Sequence, residues 1–201
     1  MKILSISGIL PIPELISSND FVFQTHKTHR TYFPNDEIVI IRPTQYKTNI
    51  KKILTRTTDF DRLGDNPLLH IEGFSVHIFP FFSSRRARDI HSLLASSIYL
   101  LNKKRIENLI EEFRPDIVHA QYIFPDGLFA YWIKKKYGIP YVVTTHNELF
   151  YFNWPISNRI ATKILRSASS ILPINYRNFN YFRSKGFSQT CILPLGFNKS
   201  F

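Results

Sequence analysis

The stretch from Arg114 to Glu148 constrains the fold of this chain more than any other segment. It reads RPDIVHAQYIFPDGLFAYWIKKKYGIPYVVTTHNE, in which two short Ile- and Val-rich runs flank a helical segment that closes with three lysines and a glycine. Cations in the last turn and a glycine just beyond it are typical signals for the end of a helix. When a helix connects two strands in this way, the strands usually lie parallel and next to each other in one sheet. The stretch therefore predicts a parallel sheet, with His119 and His146 at the carboxyl ends of two of its strands.

The remainder of the chain alternates in the same way between short apolar runs and helical patterns. We predict strands at 2–7, 37–42, 74–79, 117–119, 141–145, 170–174 and 190–195, and helices at 21–32, 85–113, 126–137, 155–168 and 176–185. The polar segment 44–73 is predicted to be a long loop or a broken helix. The alternation indicates an α/β fold, a doubly wound, mostly parallel Rossmann-like sheet of about seven strands with helices on both faces. We expect residues 1–201 to form one domain.

Charge and cysteine content narrow the class of protein. Lys and Arg number 26 against 15 Asp and Glu, and between residues 127 and 201 the only acid is Glu148. Such a surface favours polyanions, anionic lipid or phosphorylated ligands, or it serves only to keep the protein soluble. The single Cys191 excludes a disulfide framework, and we expect it to be a small buried residue of the last strand. With no long apolar run and no leader sequence, a cytoplasmic protein is the simplest interpretation.

Several common chemistries lack their motifs in this sequence. There is no G-x-G-x-x-G, no G-x-x-x-x-G-K-[ST] and no G-x-S-x-G, which argues against Rossmann dinucleotide binding, a P-loop NTPase and an ordinary α/β-hydrolase. His26 and His29 have the spacing of a metal-binding pair, but the sequence offers no evident third ligand. We therefore expect no metal site.

The candidate site lies where the order of parallel strands reverses, between the first and fourth predicted strands. Three loops should meet there, namely Ser7–Gly8, His119–Gln121 and His146–Glu148. Gly8 would let the backbone approach a ligand, the histidines would contact a hydroxyl or a phosphate, and Glu148 would orient an imidazole. The alternative is that each strand-end histidine only satisfies a nearby backbone carbonyl, and that Gly127 is only a turn at the start of a helix.

The helix predicted after Pro155 carries a second functional suggestion. Isoleucines 156, 160 and 164 lie along one line of this helix, and the neighbouring stripe is basic, with Arg159, Lys163 and Arg166. A basic stripe beside an apolar one suits an anionic membrane surface. We favour the interpretation in which the isoleucines face the sheet, which would leave the basic stripe available to lipid phosphates.

Four segments, in order along the chain, resemble motifs of one enzyme family. They are RPDIVHAQ at Arg114–Gln121, FPDG at Phe124–Gly127, GIPYVVTTH at Gly138–His146 and LPLGFNKSF at Leu193–Phe201. Together they are similar to the N-terminal domain of retaining GT-B glycosyltransferases of the glycosyltransferase family 4 group. The sequence departs from the pattern in places, with Gln121 where the family has a second histidine and Asn147 where it has glycine.

The resemblance implies a metal-independent transferase that moves a sugar from a nucleotide sugar to an acceptor, with the acceptor bound mainly by this domain. His146 matches the family histidine that faces the transferred sugar, so we assign it as the catalytic candidate. His119 and Gln121 match residues that line the acceptor side. The full set of predicted substrate-binding residues is Ser7, Gly8, Asn19, His119, Gln121, Asp126, Gly127, Asn147 and Glu148. No cofactor is implied beyond the nucleotide sugar, which acts as a co-substrate.

The resemblance also implies that the nucleotide-sugar-binding C-terminal domain would begin where this sequence stops. We therefore expect one half of a GT-B enzyme, which is an excised domain, a truncated gene product or a subunit that works with a separate donor-binding polypeptide. The expected acceptor is a cell-surface polysaccharide or a lipid-linked sugar, and the expected location is the cytoplasm or the inner face of the cell membrane. A non-catalytic binding module derived from a glycosyltransferase is the alternative. Nucleic-acid binding ranks below both because the sequence has no recognisable nucleic-acid module.

Overall fold

A computed structural model describes residues 1–11, 21–47, 68–83 and 95–194. Its strands are β1 Lys2–Ile6, β2 Glu37–Lys47, β3 Leu68–Ile71, β4 Phe74–Ser83, β5 Ile117–Ala120, β6 Tyr141–Thr145 and β7 Ser170–Pro173. Its α-helices are α1 Phe21–Tyr32, α2 Ser97–Phe113, α3 Leu128–Tyr137, α4 Pro155–Ser167 and α5 Tyr176–Ser184. A π-helical turn at Ile123–Gly127 precedes α3, and a short 3₁₀ helix at Leu149–Asn153 precedes α4.

The strands form one sheet in the order β3-β4-β2-β1-β5-β6-β7. Every neighbouring pair is parallel except β3 and β4, which are antiparallel. Strand order reverses at β1, which has β2 on one side and β5 on the other. The predicted doubly wound α/β sheet is therefore confirmed, and its switch point lies between β1 and β5 as expected.

Apolar side chains cover both faces of the sheet, as a parallel sheet requires. On one face Ile3, Ile38, Ile40 and Val76 pack in a cluster that also holds Phe23 of α1. On the opposite face, residues of the sheet pack in a larger cluster with residues of α2, α3 and α4. Its fully buried members include Leu4, Ile6, Val118, Ile106, Phe129 and Ile164. The two layers of helices fix the sheet, and thereby the edge from which the functional loops leave.

The predicted helix ends follow from local stereochemistry. The backbone of Arg114 after α2 is left-handed, with φ of 51°, and Pro115 follows it. Gly138 adopts φ of 74° directly after α3, a conformation that glycine tolerates best, and its N–H donates to the carbonyl of Lys134. The ends of α2 and α3 thus confirm the helix boundaries that the sequence predicted. For the helix predicted at 85–113, the part at 85–94 lies outside the described residues.

Strands β2 and β4 run further than predicted, since Pro43 does not end β2. Pro43 is paired with Phe79 of β4, whereas the paired register of β1 with β2 stops at Ile6 and Ile41. Beyond that point β2 has a strand partner on one side only, so a proline without an N–H costs less there than in a fully flanked strand. The expectation that a loop begins at Thr44 is wrong for residues 44–47.

A hairpin occupies the end of the segment predicted to be a loop. Strand β3 pairs with β4 across Glu72 and Gly73, which have φ of 53° and 77°. Two positive φ angles are typical of the tight turns that connect antiparallel strands with two residues. The Glu-Gly pair is a weak form of the usual Asn-Gly or Asp-Gly signal, which explains why the sequence did not predict this hairpin.

The strand predicted at 190–195 is wrong over its described part, 190–194. Only Thr190 forms a bridge, with Ile171 of β7, although Cys191 and Leu193 still donate backbone hydrogen bonds to β7. The segment follows the outer side of β7, and Cys191 is exposed rather than buried. The antiparallel β3 therefore completes the seven strands in place of this segment.

Candidate functional site

The three loops predicted to form a site do leave the sheet side by side. Strands β1, β5 and β6 are consecutive neighbours, and their carboxyl ends share one edge. The N–H of Ser7 donates to the carbonyl of Ile41, and the N–H of Gln121 donates to that of Ile6, each at 3.0 Å. The loops at Ser7–Gly8, Gln121–Tyr122 and His146–Glu148 are thus held together by the sheet itself.

Glu148 joins two of these loops through its buried carboxylate. Its Oε1 accepts the N–H of Ile123 at 2.7 Å, and its Oε2 accepts the N–H of His146 at 3.3 Å. Burial raises the pKa of this carboxyl to about 8, against the opposing effect of those two hydrogen bonds. The prediction that Glu148 orients an imidazole is corrected, because the side chain positions the backbone of His146 instead.

Asp126 performs a similar task between the first and second loops. Both of its carboxylate oxygens accept the N–H of Gly8, at 3.1 and 3.2 Å, and the side chain is fully buried. Burial raises its pKa well above the usual range, although the Gly8 hydrogen bond and the charge of Arg42 oppose that rise. Both carboxylates thus have structural roles in the loops, and substrate contact by Asp126 and Glu148 stays a prediction.

The two glycines of the predicted site allow close approach within the protein. A Cβ on Gly8 would lie 3.3 Å from Oδ1 of Asp126. A Cβ on Gly127 would lie 3.0 Å from the carbonyl oxygen of Tyr122 and 3.1 Å from Cγ2 of Ile164. A side chain at Gly127 would crowd the turn before α3, and one at Gly8 would crowd Asp126, whereas ligand contact by either glycine stays a prediction.

His146 has the most distinctive environment of the predicted residues. Its ring stacks on Tyr122 with centroids 4.5 Å apart and contacts Phe21 of α1 at 5.3 Å. Burial lowers its pKa, which keeps the imidazole neutral near pH 7, while a hydrogen bond to the backbone of Gln121 acts in the opposite direction. Among the described residues no group pairs with its buried Nε2. One ring nitrogen is therefore held in place and left available for a hydrogen bond.

His119 lies beneath His146, on the face of the sheet covered by α1. Nε2 of His119 lies 2.8 Å from Oγ1 of Thr144. Ser5, which is paired with His119 across the sheet, has its Oγ 2.9 Å from Nε2 of His26. Burial lowers the pKa of His119 to about 4 and that of His26 to about 3, so both rings are neutral. His119 is thus engaged by a hydroxyl inside the protein, which favours a supporting role over direct contact with substrate.

The two histidines with metal-like spacing are engaged separately. His26 contacts Ser5, whereas Nε2 of His29 lies 2.8 Å from Oδ2 of Asp36. Within residues 1–11, 21–47, 68–83 and 95–194, no group of three or more His, Cys, Asp or Glu side chains is arranged to hold a metal ion. In the same parts of the chain no helix is long and apolar enough to cross a membrane.

The remaining predicted residues divide between buried and exposed positions. Gln121 is almost fully buried, and the hydroxyl of Ser7 is buried with no partner among the described residues. Asn147 is exposed and lines an open pocket. Asn19 lies outside the described residues. Substrate contact by Ser7, Gln121 and Asn147 stays a prediction that this geometry permits.

The open pocket beside His146 was not predicted from the sequence. It encloses about 710 Å³ between the 3₁₀ helix and α5, and its lining includes Asn147, Phe150, Asn153, Arg177, Asn178 and Tyr181. Asn178 donates a short hydrogen bond to the carbonyl of His146, which ties the pocket to the catalytic candidate. The sequence could have predicted this position for the loop after β7, because parallel strands β6 and β7 end at the same edge of the sheet.

Known proteins with similar sequence or fold agree with this architecture. An uncharacterised glycosyltransferase of Methanocaldococcus jannaschii is 39% identical over 51 residues, which cover 25% of this chain and 14% of the relative. The structure of sucrose-phosphate synthase from Thermosynechococcus elongatus superposes with a TM-score of 0.63 at 11% identity, covering 98% of this chain and 48% of that one. The UDP-GlcNAc 2-epimerase of M. jannaschii superposes with a TM-score of 0.51 at 16% identity, covering 96% and 45%.

The structural similarities show a shared fold, in which this chain spans about half the length of each solved protein. The sequence profile of Glycosyltransferase Family 4 matches residues 54–189, which is more than half of the chain. This match agrees with the motifs at the ends of β5 and β6. The chain belongs to Glycosyltransferase Family 4.

Proposed function

We propose that this chain forms the acceptor-binding side of a glycosyltransferase, which transfers a sugar from a nucleotide sugar to a cell-surface polysaccharide or a lipid-linked acceptor. The observation that carries the proposal is the ring of His146, fixed by Tyr122 and Phe21 at the carboxyl edge with its buried Nε2 available. Family membership supports the reaction class, and the open pocket beside His146 offers room for an acceptor.

The chemistry assigned to this chain is positioning through hydrogen bonds. A neutral imidazole that donates one ring N–H to the backbone of Gln121 has an acceptor at its other nitrogen, so Nε2 would accept a hydrogen bond from a hydroxyl of the transferred sugar. A fixed group of this kind costs no reorganisation during the reaction. Asn147 extends from the next position toward the pocket and would orient the acceptor. Contacts to the nucleotide and its diphosphate are assigned to a second domain beyond residues 1–201, and no metal is assigned to the reaction.

A reconstituted transfer assay tests this proposal. The 201-residue chain would be mixed with a separately expressed donor-binding domain of a Glycosyltransferase Family 4 enzyme, a panel of radiolabelled UDP-glucose, UDP-N-acetylglucosamine and GDP-mannose, and cell-envelope extract as acceptor. We expect label in the envelope fraction only when both polypeptides are present. Turnover by residues 1–201 alone would contradict the assignment of donor contacts to a second domain. Failure of every donor in the combined assay would favour the non-catalytic binding module.

We also propose that α4 rests on the inner face of the cell membrane, in keeping with a lipid-linked acceptor. Ile164 is fully buried and Ile160 packs on the core, so most of the isoleucine line faces the protein as favoured from sequence. Trp154 and Ile156 remain 39% and 38% exposed at the start of α4. The basic stripe of Arg159, Lys163 and Arg166 is exposed beside them, a composition that suits anionic headgroups.

Flotation with phosphatidylglycerol-containing liposomes tests this orientation. The double variant Arg159→Glu/Lys163→Glu should bind these vesicles at least about tenfold more weakly, since each cation near an anionic surface contributes on the order of 1 kcal/mol. The control variant Lys103→Glu/Lys104→Glu makes the same charge change at two exposed positions of α2. Equal loss of binding in both variants would show that net charge, rather than the face of α4, governs the association.

A further inference from the structure

The pocket beside His146 is lined by a cation that has no acidic partner in the described parts of the chain. Arg177 lines this pocket, and no Asp or Glu of the described residues forms an ion pair with it. Along residues 127–194 the only acid is Glu148, which is 4% exposed and hydrogen-bonded to Ile123 and His146. Arg177 therefore lines a pocket to which the described residues supply no negative charge.

The charge of Arg177 suits an anionic ligand. Nζ of Lys185 lies 5.8 Å from the ring centroid of Tyr181, a residue that lines the pocket, so a second positive charge lies near one wall residue. Positive charge close to a concave surface raises the local concentration of anions. An arginine in particular presents paired N–H donors that match the oxygens of a phosphate or a carboxylate.

The other lining groups suit a hydroxylated ring better than a bare anion. Asn147 and Asn153 are exposed amides, which both donate to and accept from hydroxyl groups. Phe150 is 51% exposed, and Tyr181 is held by contacts with Phe152 at 5.4 Å and Phe182 at 5.6 Å between ring centroids. Aromatic faces beside amides allow a sugar ring to pack and to hydrogen-bond at once.

We propose that this pocket is the subsite for an anionic part of the acceptor, a phosphate or carboxylate next to a hydroxylated ring, with Arg177 as its principal contact. The inference rests on the proposed function and names the class of its acceptor. The link between the two sites is Asn178, which lines the pocket and hydrogen-bonds the carbonyl of His146. The anionic group would thereby hold the accepting hydroxyl close to His146.

Binding of glucose 1-phosphate to the 201-residue chain tests the proposal directly. The side-chain amide signals of Asn147 and Asn153 would be followed by NMR, and we expect both to shift on titration. Arg177→Ala should weaken binding by about tenfold or more, because a hydrogen bond to a charged group is lost, and Arg177→Lys should weaken it less. Lys135→Ala removes an exposed cation of α3 outside the pocket and should leave the affinity unchanged.

The other ligands separate the sources of the anion. Glucose should bind at least about tenfold more weakly than glucose 1-phosphate, because it lacks the charged contact. If inorganic phosphate shifts the amide signals as strongly as glucose 1-phosphate does, the pocket does not recognise the hydroxylated ring, and that part of the proposal is wrong. Shifts with phosphatidylglycerol vesicles but none with glucose 1-phosphate would overturn the proposal and assign the pocket to lipid headgroups.

Failure of this inference is distinguishable from failure of the proposed function. In the reconstituted transfer assay, Arg177→Ala should lower the affinity for the acceptor while the maximal rate stays within about threefold. Full transfer at unchanged acceptor affinity would remove the anionic subsite and leave the glycosyltransferase assignment intact. Unfolding by urea, followed by circular dichroism, would show whether each variant keeps the stability of the parent chain.

Discussion

Two buried carboxyl groups organise the residues around His146. Glu148 connects the loops after β5 and β6, and Asp126 connects the turn before α3 to Gly8 after β1. Neither faces solvent, and burial raises the pKa of each. Because their oxygens accept from backbone N–H groups, these side chains fix the loops that surround the ring of His146.

The raised pKa of Glu148 predicts a dependence of stability on pH. The carboxyl has an ordinary value of 4.5 in the unfolded chain and about 8 in the folded one, so the folded state holds the proton more tightly. The resulting stabilisation is complete below the unfolded pKa and is lost as pH rises through the folded pKa, by at most about 1.4 kcal/mol per pH unit. Urea unfolding at about pH 5 and about pH 8 would measure this loss.

The comparison with Glu148→Gln isolates the effect of this one carboxyl. Glutamine does not ionise, so the variant should lose less free energy of unfolding between the two pH values than the parent chain loses. The control is Glu111→Gln, which alters an exposed carboxyl of α2 and should follow the parent chain. Parallel pH dependence in the parent chain and in Glu148→Gln would contradict the raised pKa.

At the scale of single residues, the sequence predicted where residues lie in the fold better than which side-chain contacts they make. His146 and Asn147 follow directly from the end of an apolar strand, which is a local pattern. The contacts of Glu148 with Ile123, and of Asp126 with Gly8, depend on how two loops pack after the sheet has formed. Arg177 was missed for the same reason, because its pocket exists only once α5 lies beside the 3₁₀ helix.

Elements with a clear local signal in the sequence were predicted well. Helix α1 and strand β6 match their predicted bounds, and Pro155 begins α4 as expected. The errors fall where the partner on one side decides the structure. Strand β2 continues past Pro43 along β4 after β1 has ended, and residues 190–194 follow β7 with only one bridge.

The turn before α3 provides a prediction at the scale of an element. Gly127→Ala should lower the free energy of unfolding by about 1 kcal/mol or more. The new Cβ would lie 3.0 Å from the carbonyl oxygen of Tyr122 and 3.1 Å from Ile164. Crowding of this kind costs about 1–3 kcal/mol, of which the helical preference of alanine over glycine offsets up to about 1 kcal/mol. Urea unfolding measures the difference.

The matched variant is Lys135→Ala, an exposed change within α3 itself. It creates no new contact, and its free energy of unfolding should stay within about 0.5 kcal/mol of the parent chain. A stabilised Gly127→Ala variant would mean that helix propensity outweighs the close approach of the Tyr122 carbonyl, and would contradict the packing described for this turn.

At the scale of the whole molecule, function depends on one edge of the sheet and on the charge around it. The carboxyl ends of β1, β5, β6 and β7 lie together. The strand order therefore brings His146 and the pocket of Arg177 to neighbouring positions. The chain spans about half of the solved structures it resembles, so donor contacts are proposed to lie outside it.

The most direct test of the account is the rate of sugar transfer by His146→Ala in the reconstituted assay. Removal of a fixed hydrogen-bonding group that faces the reacting sugar should lower the rate by about a hundredfold or more. His70→Ala is the matched control, since His70 is exposed on β3 at the far edge of the sheet, and its rate should stay within about twofold. Equal rates for His146→Ala and His70→Ala would contradict the placement of the transfer site at this edge.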